Sequence, residues 1–340
     1  MHPSDKAALR LTVGLGLAAF IAYGFALAVP YVVCVMAVLV LCKPGPPLPL
    51  IKAVVVALMF AGLVAAGVLM VPLLEHYAVA GVLLTAVLLF ALFFVGQLRK
   101  QPLTTVLVLG FTLIPIAGVS EQALVSVLSV ALAVGVLVGA LVSAASNAVF
   151  PDPPRPAAAA DTATAPDRDA ARWIALRGTL IVMPVFVLAL TDPSFYLAAI
   201  MKTVALGQQA GETHARTAGR ELIGSTLMGA LMALAAWLGL SLWPSLWMLM
   251  LWLMAAALWA GSALFAARRT RWRPSFWSNA LITALILFGP AIEDSASGKS
   301  VIEGGVMRVS LFVGVALYAW ATVWALERWR GGRPRGLAAE

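Results

Sequence analysis

The chain is predicted to be an all-α integral membrane protein with about twelve transmembrane helices, built as two parallel six-helix repeats. Three observations predict this. Its apolar runs match the thickness of a bilayer, its basic residues are confined to alternate loops, and landmark residues recur in the same order in both halves. The 340 residues are 62% hydrophobic and only 11% charged, with a mean hydropathy of +0.97. A soluble domain carries roughly 25% charged residues, so the missing charge points to a chain solvated by lipid.

Runs of about 20 apolar residues are the length that crosses a hydrocarbon core. They place spans near 9–28, 30–42, 50–73, 77–97, 103–119 and 123–149 in the first half. In the second half they fall near 174–190, 194–209, 221–241, 244–266, 275–292 and 306–327. The second and eighth are short, as tilted, half-embedded or broken spans would be. Residues 1–150 form the first membrane half and 173–330 the second. Between them, 151–172 is rich in Pro, Ala and Asp with no apolar period, which makes it a cytoplasmic linker. Residues 331–340 form a cytoplasmic tail. Ala26-Leu27-Ala28 has the form of a signal-peptidase site, but the apolar run Leu11–Val29 exceeds the roughly 7–15 residues of a signal core and is expected to stay as the first span.

Lys6 and Arg10, Lys43 and Lys52, Arg99 and Lys100, Arg155 to Arg177, Arg216 and Arg220, Arg268 to Arg273, and Arg328 to Arg335 lie at alternate ends of these runs. The other loops hold Glu75, His76, Glu121, Asp192, Glu293 and Asp294, with Lys299 their one base. Lys and Arg resist translocation, so the alternation puts both termini in the cytoplasm. The net charge of +8 is split among short loops and faces anionic headgroups of the lipid bilayer. No single basic face exists, so no nucleic-acid partner is expected.

The repeat is carried by order. Ala8-Leu9-Arg10 opens the first span and Ala175-Leu176-Arg177 the seventh. Pro30 and Pro193 begin the second and eighth spans. Lys52 and Arg220 lead into the third and ninth, and Arg99 with Pro102 is matched by Arg271 with Pro274. Pro115 and Pro290 break the fifth and eleventh spans. Val134-Gly135-Val136 and Val313-Gly314-Val315 sit in the sixth and twelfth. Such repeats are common in secondary transporters, with a site between the halves, though a duplicated structural protein would look the same. Gly135 and Gly139 form a G-x-x-x-G pair that suits an internal helix contact or a dimer seam equally, so a homo-oligomer stays open.

Several chemistries find no residues. His2, His76 and His214 lie outside the apolar runs, no metal-ligand spacing occurs, and there is no phosphate-binding G-x-x-x-x-G-K-[ST] loop. No enzyme activity, cofactor or metal is expected. Cys34 and Cys42, about 12 Å apart along one helix, are too distant for a disulfide.

Lys202 is the sharpest residue. It lies about 13 Å into its span by helical rise, where an ammonium costs at least about 2.5–3.5 kcal/mol. It either faces a cavity as an anion-binding or proton-exchanging base, or snorkels to the cytoplasmic face from a span that does not cross fully. Arg308, with Glu293 and Asp294, forms either an interfacial ion pair or a charged outer gate. No Asp or Glu lies at mid-depth, so proton coupling would need a carboxylate at a span end or Lys202 itself. Pro115 and Pro290 would free backbone groups to line a site, or merely kink their helices. All eleven Trp lie in the second half. Trp320 and Trp324 share a helix face that could stack on an aromatic substrate or pack against lipid.

The run Arg216-Thr217-Ala218-Gly219-Arg220-Glu221-Leu222-Ile223-Gly224-Ser225, followed by Gly229, resembles the start of a span in the fusaric acid resistance and aromatic acid exporter superfamily. The Ala-Leu-Arg openings, the short second span and the span beginning at Arg308 fit the same resemblance. Arg220 and Gly224 are the positions that match its motif. The resemblance implies a compact branch without the cytosolic domains of the larger exporters. It further implies a component of a bacterial inner-membrane efflux system that exports aromatic or other hydrophobic acids and works with a periplasmic membrane-fusion adaptor.

The expected function is export of small organic anions, with Lys202 balancing a carboxylate between the halves, Arg220 attracting it, and Arg308, Glu293 and Asp294 gating its exit. A passive anion channel and a non-transporting membrane scaffold subunit are alternatives. A major-facilitator transporter is another, although the loop Cys42-Lys43-Pro44-Gly45-Pro46-Pro47 lacks the G-x-x-x-D-R-x-G-R pattern of that class.

Overall fold

The computed structural model describes residues 2–42, 68–99, 104–151, 168–212, 215–298 and 300–331, together with 51, 54, 55 and 58. Most of the linker, the tail, the Lys43–Pro47 loop and most of the expected third span lie outside the described residues. What is described is helical, without a strand. The helices are α1 (Pro3–Gly24), α2 (Pro30–Leu41), α3 (68–76), α4 (Ala78–Arg99), α5 (Thr104–Ser120), α6 (Gln122–Val149), α7 (Arg168–Thr191), α8 (Pro193–Glu212), α9 (Ala215–Leu242), α10 (Leu246–Leu264), α11 (Pro274–Ala296) and α12 (Val301–Gly331). Among the described residues, eight of these helices are long and apolar enough to cross a membrane, and Pro30–Leu41 and Leu107–Ser120 are shorter apolar helices. A multi-pass membrane protein follows, because only helices that satisfy their own backbone can span lipid in this way.

Several helices extend beyond the apolar runs that mark them. α1 starts at Pro3, where His2 and Asp5 form a reciprocal capping box that stabilises a polar first turn. α9 starts at Ala215, so the Arg216–Ser225 motif lies within a helix rather than leading into one. α8 is one unbroken helix. It runs for 20 residues, about 30 Å of rise, and is unusual in its polarity, not its length.

Four helices form the centre. α2 meets α5, α5 meets α8, α8 meets α11 and α11 returns to α2. Tyr31–Val38, Val108–Gly118, Ala198–Val204 and Asn279–Ala291 are buried without interruption. This explains why the second and eighth spans look atypical. They face protein rather than lipid, so neither a long uniform apolar stretch nor an amphipathic stripe is required of them. Around this centre, α1 packs on α10 and α4 on α7, while α9 packs on α11 and α12.

Glycines set the closest contacts. A Cβ on Gly135 or Gly139 would meet α2 at Met36, Val33 and Ala37, so this pair is an internal seam between α6 and α2. A Cβ on Gly229 would stand 2.6 Å from the Ala280 carbonyl oxygen. That position brings α9 into backbone contact with α11.

Pro115 and Pro290 lie inside continuous helices, contrary to the expected breaks. Each removes one backbone donor, but both rings are buried by neighbouring helices, and such packing can hold a helix straight through a proline. Pro290 follows Gly289, whose missing side chain admits Tyr31 of α2.

Candidate functional site

Lys202 is fully buried at the middle of α8. Its Nζ donates to Thr283 Oγ1 at 2.6 Å and to Asn279 Oδ1 at 3.3 Å, both on α11. Residues 279 and 283 are one turn apart, so their side chains share a face. Thr283 Oγ1 in turn donates to the Asn279 carbonyl. Asn279 Nδ2 donates to Ser225 Oγ on α9 at 2.7 Å, and Ser225 Oγ lies 3.3 Å from Gln209 Oε1, back on α8. Gln209 Nε2 reaches the Glu221 carbonyl at 3.5 Å. The result is a buried polar thread across three helices. Among the described residues no ion pair reaches Lys202.

This placement corrects both expectations for Lys202. The ammonium does not snorkel, because its end is enclosed. Nor does it line a cavity between the halves, because its partners belong to α11 of its own half. At least about 2.5–3.5 kcal/mol opposes a central ammonium, and two neutral acceptors offset part of it.

Glu221 extends the thread toward the basic end of the bundle. It is buried, and its Oε1 lies 3.9 Å from Arg273 Nε. One residue earlier, Arg220 faces the opposite way and is exposed. α9 therefore separates two environments, with 221, 222, 225 and 226 turned to the core and 220, 223, 224 and 227 turned outward.

On the outward side lies a cleft of about 500 Å³ lined by Gly219, Arg220, Ile223, Gly224, Leu227, Trp272 and Trp320. Arg220 Cζ sits 5.9 Å from the Trp272 ring centroid. Trp272 stacks on Phe276 at 4.4 Å, with the planes inclined by 16°. Gly219 leaves room for the Trp320 ring and Gly224 for Phe276, because a Cβ would approach these side chains to 2.9 Å and 3.2 Å. The two motif positions Arg220 and Gly224 thus fall in one concavity, with a guanidinium and two indoles. Trp324 is not part of it; Arg328 stands over its ring instead.

At the acidic end, Arg308 Nη1 pairs with Asp294 Oδ2 at 2.7 Å, both partly enclosed. Glu293 is exposed and forms no direct ion pair among the described residues, although the charges of Arg308 and Asp294 act on it; the direct clasp between α11 and α12 is Asp294–Arg308. Thr283 and Asp294 are eleven positions apart on α11, about 16 Å of rise. The clasp, the Lys202 thread and the Arg220 cleft are therefore three separate places. Pro115 and Pro290 do not line the cleft.

Some polar residues here escaped the sequence reading. Arg177, buried on α7, pairs with Glu327 of α12, and Arg10 of α1 donates to Asn147 of α6 at 2.6 Å. Arg177 looked like an interfacial charge. The chain has two asparagines, Asn147 and Asn279, each within Ser-Asn-Ala, and each accepts from a basic side chain. An Asn with a Thr one turn on, inside an apolar helix, was the available signal for the α11 site.

A family model described as a protein of unknown function, DUF2955, matches residues 7–146. It covers α1 through most of α6 and stops before α8, α9 and α11, where Lys202 and the cleft lie. No curated protein and no solved structure matches the chain.

Proposed function

We infer that the protein is an inner-membrane efflux component exporting small organic acids, aromatic ones first. The observation that carries this is the cleft of Arg220, Trp272 and Trp320. A guanidinium suits a carboxylate, and indole faces suit an aromatic ring. The basic loops around it support a cytoplasmic position for this end of the bundle. The Lys202 thread lies deeper, behind α9, as a second cationic station for the same anion once the helices around it shift. The Asp294–Arg308 clasp stands at the periplasmic end, where opening would release cargo toward an adaptor.

The two-repeat architecture belongs to this proposal and draws on the helix contacts. Advancing each helix number by six converts the α4–α7 contact into α10–α1 and the α5–α8 contact into α11–α2; all four contacts exist. Arg10–Asn147 joins the first helix to the sixth as Arg177–Glu327 joins the seventh to the twelfth. The relation is incomplete, since α5 touches α7 without a matching α11–α1 contact. The polar station is also one-sided. Counting from the paired prolines, Lys202 corresponds to Leu39 and Thr283 to Val108, so a duplicated frame carries its cation in one half.

The deciding experiment is uptake of labelled benzoate-type acids into inverted vesicles, with and without an imposed ion gradient, for the parent, Arg220→Gln, Trp272→Ala and Lys202→Met. Accumulation against a concentration difference that falls in all three variants supports a carrier. Flux that only dissipates the difference supports a channel. No flux in the parent removes the export function.

A further inference from the structure

We propose that the Arg220–Trp272–Trp320 cleft is loaded sideways from the cytoplasmic leaflet, and that it selects membrane-partitioned aryl carboxylates. This rests on the export function above and adds to it a route, with the requirement that the acid already be partitioned into the membrane. The argument begins on α9. Arg220, Gly224, Leu227, Leu231, Leu234 and Leu238 recur at intervals of three or four and so form a single stripe. Leu227 is 46% exposed, and Leu231, Leu234 and Leu238 are more exposed still. In a multi-pass membrane protein this stripe is a lipid-facing surface.

Arg220 lies at its polar limit. From Arg220 to Leu242, the end of α9, is about 33 Å of helical rise, close to the roughly 30 Å of a hydrocarbon core. The guanidinium therefore sits at headgroup depth, and the cleft opens from there along the lipid-facing side. Its second wall is Trp320 of α12, itself 40% exposed. Behind Trp272 stands Phe276, buried and stacked on its ring. The opening thus faces the leaflet rather than the core of the bundle.

The chemistry of the lining agrees with that geometry. A single cation at one end and apolar or aromatic groups elsewhere suit a ligand that is charged at one end only. Its carboxylate would exchange the weak cation–π contact of Arg220 for a charge-assisted hydrogen bond. Its ring would lie against Trp272 and Trp320, and its tail would remain in lipid. A fully water-soluble acid would leave the apolar mouth beside Leu227 unfilled.

The test uses the full chain in phosphatidylcholine nanodiscs and a diazirine-bearing alkylbenzoate, with crosslinks mapped by peptide sequencing. Labelling is expected on the segments holding Leu227, Trp272 and Trp320. The unlabelled acid should compete and its methyl ester should not. Arg220→Gln should lower the yield several-fold, while Arg220→Lys retains most of it. A sulfonated diazirine benzoate, confined to water, should leave the cleft unlabelled.

Equal labelling by the water-confined probe overturns the lateral route. Equal competition by the ester, or an unchanged yield in Arg220→Gln, overturns the carboxylate assignment. Displacement by added phosphatidylglycerol makes a lipid headgroup the occupant and overturns the substrate assignment, as does absence of labelling by either probe. Export of the same alkylbenzoate is followed separately in vesicles. Labelling without export removes the transport function and keeps the cleft; export without labelling does the reverse.

Discussion

Lys202 Nζ and Thr283 Oγ1 stand 2.6 Å apart where α8 meets α11, and no described carboxylate pairs with the ammonium. Replacing Lys202 by Met removes a buried amine whose charged form is opposed by at least about 2.5–3.5 kcal/mol. It also strands the Asn279 oxygen at a cost of about 1–3 kcal/mol. The two effects nearly cancel. Lys202→Met is expected to unfold within a few degrees of the parent in detergent and yet to lose vesicle uptake. A large fall in melting temperature would make the lysine a packing residue instead.

Gly229 and Gly314 should respond in opposite ways to alanine. At Gly229 the new methyl would meet the Ala280 carbonyl at 2.6 Å and Thr283 Cβ at 2.5 Å. Forcing apart a tight contact costs typically about 1–3 kcal/mol, more than the roughly 1 kcal/mol that alanine adds to a helix. At Gly314 nothing lies within 4 Å, so only the gain remains. Thermal unfolding should show Gly229→Ala less stable than the parent and Gly314→Ala equal or more stable.

The Arg177–Glu327 pair joins a buried guanidinium to a carboxylate whose side chain is 36% exposed. Exposed pairs are worth about 0–1 kcal/mol, whereas removing one member of a buried pair costs about 3–5 kcal/mol. Glu327→Gln should fall between these limits, and Glu327→Ala should cost at least as much. A double-mutant cycle with Arg177→Met checks this; a coupling energy near zero would show that Arg177 is held by other groups.

Orientation can be tested at two exposed loop positions. In a Cys42→Ala background, Ser297→Cys should react with an impermeant maleimide added outside intact cells. Arg269→Cys should react only after the membrane is opened. Cys34 is fully buried and should stay silent in both. The reverse pattern would turn the cleft toward the periplasm and end the export scheme.

The membrane character of the chain was legible in its sequence, because hydropathy and length are properties of contiguous residues. So were Lys202 as an unusual charge, and Arg220 and Gly224 as the positions that match the motif. The partners of Lys202 were not legible. Asn279 and Thr283 lie 77 and 81 positions away, and Trp320 of α12 and Trp272, just before α11, come to the Arg220 cleft only through tertiary packing.

By itself the sequence determined that this protein is helical, rich in apolar spans and basic at alternate ends, since each of these depends on local composition and period. The tertiary structure alone decided that α2, α5, α8 and α11 form the centre, that Gly135 and Gly139 seal an internal seam, and that Pro115 and Pro290 leave their helices whole. It also decided that Arg308 pairs directly with Asp294. The reason is that a local pattern says how polar a face is, but not what stands opposite it. In lipid every helix has an apolar exterior, so only packing distinguishes the face that meets a neighbour from the face that meets the bilayer.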